Sequence, residues 1–224
     1  DGQQPRVVIN SEGMPYTPSV VSFAEDGSVL VGEIARRQSV VSPESTISSA
    51  KRLMGRSLQD IETLGLQFPF RLEEKDGELV IRIGDKGYLP SQVSAHILSK
   101  LRQSAEDYLG EPVSKAIITV PAYFDDLQRQ ATYEAGQIAG LEVLRLINEP
   151  TAAAMAYGLG RGETERVVVY DFGGGTFDIT VLEIAENTFE VLTSIGDTHL
   201  GGDDIDAILV EHLLQSFRAA AGVE

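Results

Sequence analysis

The chain of 224 residues is 42% hydrophobic and 23% charged, has no cysteine, and sets 34 acidic side chains against 18 basic ones, for a formal net charge of −16. That acidic field disfavours nucleic acid and anionic membranes as partners, and the lack of cysteine removes disulfides, thiolate metal sites and cysteine nucleophiles. No apolar run reaches the roughly eighteen residues that span a bilayer, and the opening DGQQPRVVIN has neither the basic region nor the apolar core of a secretory signal.

In chain order, Asp1-Gly2 reads as a turn and RVVIN (6–10) as a strand, so a strand partner is missing on one side of that turn. SVVSFA (19–24), the turn Glu25-Asp26-Gly27-Ser28 and VLV (29–31) predict a hairpin. Residues 33–41 and 45–54 read as helical, and strand-like pieces at 68–73 and 79–83 are joined through Lys75-Asp76-Gly77. From Ser91, Val93, Ile97, Leu98, Leu101, Ala105, Tyr108 and Leu109 follow helical spacing up to Gly110. KAIITV (115–120) predicts a buried strand. Asp125 or Asp126 caps a helix with Leu127, Ala131, Ala135 and Ile138 on one face, and VLRLI (143–147) is the next strand, a βαβ unit with a parallel sheet. Pro150 opens another helix. Past a glycine-rich joint, GLGRGETE (158–165), short turns between strands at 166–172, 177–184 and 189–195 predict an antiparallel meander. A final helix follows Gly201-Gly202, with Ile205, Leu209, Leu213 and Phe217 near one face.

The most informative stretch is VYDFGGGTFD (169–178), three glycines between two strands and two acids. Without Cβ atoms, a bend of this kind lets a bulky anion approach the main chain and be held by several amides. Asp171 and Asp178 would repel a bare phosphate, but with a hydrated divalent ion between they become its anchors. The spacing is not that of a P-loop, since no Gly-Lys-Ser/Thr follows and a strand rather than a helix comes next. On pattern alone, a glycine-rich hairpin with solvated acids remains an alternative. Lys51 alone reads as a surface lysine and Glu149 as an acid at a helix start; His96, His199 and His212 do not cluster.

Five segments, SAKRLMGR (49–56), ITVPAYFDDLQRQAT (118–132), AGLEVLRLINEPTAAAMAYGL (139–159), VYDFGGGTFDITVLEI (169–184) and GDTHLGGDDID (196–206), closely resemble the 70-kilodalton heat-shock chaperone family, DnaK type. The resemblance implies an α/β actin-like ATPase (ribonuclease H-like) fold in two lobes, incomplete at both ends. It implies a lobe I at 1–159, with an inserted subdomain at 20–90 and a βαβ base at 91–159. A lobe II base would follow at 160–204 and the start of upper lobe II at 205–224. It implies ATP or ADP with Mg²⁺ as cofactors, held between the lobes.

Residue by residue, the resemblance makes Gly173, Gly174, Gly175 and Thr176 a phosphate loop, and Asp171 and Asp178 the acids that orient the metal's waters and the attacking water. It makes Lys51 the lysine that reaches the γ-phosphate, Glu149 an acid near the metal's waters, Gly201 and Gly202 a turn close to the nucleotide, and Pro121 and Arg129 a relay of nucleotide state. It implies a cytoplasmic chaperone whose partners are unfolded polypeptide, a J-domain co-chaperone and a nucleotide-exchange factor. The chain departs from the family in showing no first phosphate loop, Gly-x-Asp-x-Gly-Thr-Thr. Phe172 and Asp203 stand where leucine and glutamate are common. The alternatives are a sugar kinase or actin-like protein of the same fold, or a non-catalytic fragment that binds co-chaperones.

Overall fold

The computed structural model describes residues 6–157, 164–185 and 188–222, so the Asp1-Gly2 turn and residues 158–163 of the glycine-rich joint lie outside the described residues. Contacts divide the chain into two compact units, one of Asp1–Val120 with Phe124–Ile147, the other of Pro121–Tyr123 with Asn148–Glu224. This division falls at Asn148, ahead of the joint, because the helix Glu149–Ala156 packs Ala154 against Leu182 and Ile184 of the second unit.

The first unit opens with β1 (Val20–Phe23), β2 (Val29–Val31) and β3 (Thr46–Ser48), a sheet in the order β2-β1-β3. Their hairpin forms where expected, with Gly27 at φ 85° and the Ser28 N–H donating to Asp26 Oδ1 at 2.9 Å. A second sheet, β4 (Arg71–Lys75), β5 (Glu78–Ile83) and β6 (Lys86–Tyr88), turns at Asp76 and Gly77, both with positive φ. That geometry matches the right-handed strand twist and explains the Asp-Gly pair. α1 (Glu33–Gln38) and α2 (Leu58–Thr63) flank the sheets, and α2 is fixed by a reciprocal cap between Ser57 and Asp60. α3 (Pro90–Leu109) starts on proline and ends at Gly110 in the left-handed region. Val21, Ile47, Leu53, Ile81 and Val93 form the heart of one apolar cluster.

The remainder of this unit is β7 (Lys115–Val120), α4 (Asp126–Ile138) and β8 (Glu142–Asn148). β7 and β8 are hydrogen-bonded neighbours, and the Glu142 N–H donates to Ser114 O where both strands begin, so they run parallel with α4 as the crossover. Asp125 caps α4 by accepting from the Gln128 N–H at 2.9 Å.

The second unit contains α5 (Glu149–Ala156), the meander β9 (Glu165–Phe172), β10 (Phe177–Ala185) and β11 (Thr188–Asp197), and α6 (Gly202–Ala221). Its sheet is antiparallel in the order β11-β10-β9.

Several sequence expectations are corrected. RVVIN (6–10) forms no strand, because it pairs with no neighbour among the described residues, and Val7 and Ile9 are exposed. Residues 45–54 are not a helix: β3 at Thr46–Ser48 pairs with β1, and a short 3₁₀ turn, Ala50–Leu53, follows. The sequence pattern does not signal α2 or β6. The inner face of α4 is set by Gln128, Ala135 and Gly136, so Ala135 is buried as expected, while Leu127 and Ile138 are exposed. Close approach is the reason, since a Cβ on Gly136 would strike Val143 and Ile118. Ile205, Leu209, Leu213 and Phe217 share α6 as expected but are exposed, and no residue of α6 is buried.

Candidate functional site

The triple glycine closes the β9–β10 hairpin. Phe172 pairs with Phe177 across its base, and the Gly173 N–H donates to Thr176 O at 2.9 Å. The bend is held from one side by the start of α6: Gly202 N–H donates to Gly173 O at 3.0 Å and Asp203 N–H to Gly174 O at 2.8 Å. Gly201 lies so close behind that a Cβ there would meet Gly175 N at 2.6 Å and collide with Gly174, so only glycine fits. Gly174 itself stays exposed, which leaves the other side of the bend open to a ligand.

Asp171 and Asp178 are directly opposite on adjacent antiparallel strands, so their side chains share a face of the sheet. Asp171 is half-buried and Asp178 is only 3% exposed. Along β10, alternate residues are buried in a graded series, from Ile184 and Leu182 through Thr180 to Asp178 and Thr176 beside the bend. The apolar end packs on Ala154 of α5, and the Thr180 hydroxyl shares a 2.8 Å hydrogen bond with that of Ser194. The chain therefore places a buried carboxylate and a hydroxyl where an amide-lined bend begins. Two facing carboxylates in poorly solvated surroundings repel, and a cation beside them relieves that repulsion.

The donors suit magnesium. They are the hard carboxylate and hydroxyl oxygens of Asp171, Asp178 and Thr176. Mg²⁺ keeps several waters and takes one or two carboxylates plus substrate phosphates, so this donor set fits an ion bound largely through water.

The structure thus brings Asp171, Gly173, Gly174, Gly175, Thr176, Asp178, Gly201 and Gly202 together within one unit. Glu149 belongs to the same unit as the first residue of α5, which Pro150 helps to start. Lys51 belongs to the first unit, in the 3₁₀ turn, with its Nζ 5.9 Å from the centre of the Phe124 ring. Arg129 is there too, and its Nε donates to Phe124 O at 3.0 Å. Pro121 is fully buried and groups with the second unit.

Sequence reading missed the main-chain part of Asp203, the buried Thr180, and Gly55. At φ 63°, Gly55 sits where a Cβ would meet Gln128 N at 2.6 Å, which presses the Lys51 turn onto the first turn of α4. For Thr180 a signal existed: polar residues at 176, 178 and 180 in strict alternation within an otherwise apolar strand.

A family profile described as Hsp70 protein matches residues 1–224, and the chain belongs to the Hsp70 family. Among curated relatives, it is 51% identical over 228 residues to the chaperone protein dnaK of Cyanidioschyzon merolae (strain NIES-3377 / 10D), a match that covers 100% of this chain and 37% of that protein. The actin-like ATPase fold goes with the family, and the mixed α/β elements are consistent with it. No helix among the described residues is long and apolar enough to cross a membrane.

Proposed function

We propose that this chain is the phosphate- and magnesium-handling part of an ATP-hydrolysing chaperone domain. The observation that carries the reading is the bend at Gly173–Thr176, open at Gly174, pinned from behind by α6 and bordered by the facing pair Asp171 and Asp178. Phosphoryl transfer is catalysed mainly by positioning and by electrostatic stabilisation, and a rigid amide-lined bend beside fixed carboxylates supplies both.

In this reading the loop of Gly173, Gly174, Gly175 and Thr176 wraps the β- and γ-phosphates. Asp171 and Asp178 accept hydrogen bonds from metal-bound water and from the attacking water, and Glu149 accepts from the same water shell. Lys51 lends a point charge to the γ-phosphate. Gly201 and Gly202 keep the bend in shape. Bound Mg²⁺ would offset phosphate charge as it builds in the transition state. Pro121 and Arg129 pass nucleotide state to a peptide-binding domain. The complete protein, cytoplasmic in this reading, couples hydrolysis to binding and release of unfolded polypeptide, with a J-domain co-chaperone and a nucleotide-exchange factor as partners. Family membership does not favour a sugar kinase or a filament protein.

The test is calorimetric titration of Mg-ATP into a protein of the relative's full length that carries this segment, with turnover measured alongside. Binding and slow hydrolysis are expected, and Lys51→Ala or Asp178→Asn should each lower turnover about 10²-fold, the scale seen when one group stabilising developing charge is lost. Failure of that protein to bind Mg-ATP overturns the reading.

A further inference from the structure

We infer that Gly196 is a positioning residue for Asp178, an inference that rests on the reading above. Asp178 has two cross-strand partners, Asp171 on β9 and Gly196 on β11, which together form one transverse row on the face of the sheet that carries the site. A Cβ at Gly196 would stand 2.8 Å from Asp178 Oδ1 and 3.2 Å from its Cγ, and would also collide with the Phe177 carbonyl oxygen. The carboxylate therefore leans over the bare Cα of Gly196. The backbone at Gly196 lies outside the left-handed region, so crowding alone, and no special φ, demands glycine there.

The physical reason lies in the row. Like charges directly opposite on neighbouring strands repel. Space over β11 lets the Asp178 carboxylate turn away from Asp171 while it stays buried at 3% exposure. Asp178 then keeps its own place in the row, over Gly196, rather than crowding Asp171. A side chain at 196 would take up that space and could fit only if the Asp178 carboxylate and the Phe177 carbonyl both gave way.

Two measurements test this. In the full-length protein, single-turnover hydrolysis is compared for Gly196→Ala, Asp178→Asn and the double variant. Gly196→Ala should slow turnover about tenfold or more, the scale of an ångström-sized misplacement, with nucleotide affinity little changed. The double variant should be no slower than Asp178→Asn alone, since residues acting through one group are not additive. Native-like turnover in Gly196→Ala, or a double variant slowed by the product of the singles, overturns the inference.

The second measurement needs no activity. Thermal unfolding should show a smaller loss of Tm from Gly196→Ala in an Asp178→Ala background than in the native one, because one of the two collisions is gone. A native-background variant that does not fold, rescued by Asp178→Ala, supports the inference. Equal losses in both backgrounds, or failure to fold in both, overturn it, because the Phe177 carbonyl collision alone then explains the glycine. Should the native protein neither bind nor hydrolyse Mg-ATP, the functional reading falls while the Tm comparison still decides the role of Gly196.

Discussion

In the first unit a single cluster gathers Val21, Ile47, Leu53, Ile81 and Val93 out of water, whereas in the second the apolar residues of β9, β11 and α6 lie largely at the surface. Val168, Tyr170 and Ile195 are exposed on one face of the second sheet, and Ile208, Leu213 and Phe217 are exposed on α6. The buried face of that sheet is occupied instead by Thr176, Asp178 and Thr180 at its site end, with Leu182, Ile184 and Ala154 as apolar support, backed by the partly buried Val167, Val169 and Phe189. The first unit is organised by hydrophobic burial, which is non-directional and proportional to area. The second sets polar groups on its buried face and leaves more of its apolar side chains at the surface.

This contrast can be broken by paired substitutions. Ile81→Ala, at a fully buried position, should cost about 2–5 kcal/mol in denaturant unfolding, the usual range for large-to-small core changes. Leu213→Ala on α6 should stay within about 0.5 kcal/mol, as surface changes do. Similar losses at the two positions would show that α6 is covered in solution. Amide hydrogen exchange sharpens the same point: α6 should exchange far faster than β5, because helical amides with little apolar cover open locally.

A smaller effect concerns the cap of α2. Ser57→Ala removes an acceptor for the Asp60 N–H at 3.1 Å, as well as the hydroxyl that donates to Asp60 Oδ2 at 2.7 Å. It should lower stability by about 1 kcal/mol. Hydrogen bonds from the Ser57 backbone and side chain also hold the Asp60 carboxyl below its ordinary 3.8. A carboxyl depressed on folding stabilises above its unfolded pKa and loses that contribution as pH falls below it. Asp60→Asn should therefore weaken the dependence of Tm on pH below about 4, the ordinary carboxylate range.

The smallest expected effect is at His96, half-buried with its ring edge-on to Phe23 at 5.8 Å. Burial pushes its pKa below 6.5. Folding favours the neutral ring, so its contribution is complete above 6.5 and declines as pH falls through 6.5 toward the lowered value. His96→Gln should flatten Tm against pH between roughly 7 and 5, the span in which an ordinary imidazole titrates. An unchanged slope would remove His96 from the account.

Much of the fold was legible because its signals are local. Gly110 ends α3, Asp125 caps α4, and Asp76-Gly77 turns β4 into β5, each through backbone preferences that act within a few residues. The failures share one cause, which is dependence on partners. RVVIN has strand composition but no paired neighbour among the described residues, and residues 45–54 lost their helix to pairing with β1. On α4 the expected face holds at Ala135 but not at Leu127 and Ile138, because close neighbours leave room there only for a residue as small as Gly136.

At the site, amino-acid order alone determined that three glycines stand between two acids and two strands, and it placed the second glycine pair ahead of α6. Only the tertiary structure decided that Gly201 backs onto Gly174, that Asp178 is buried opposite Asp171, and that Gly196 leaves room for its carboxylate. The reason is physical: burial and steric exclusion arise between residues brought together from separate strands, and no short window of sequence carries that information.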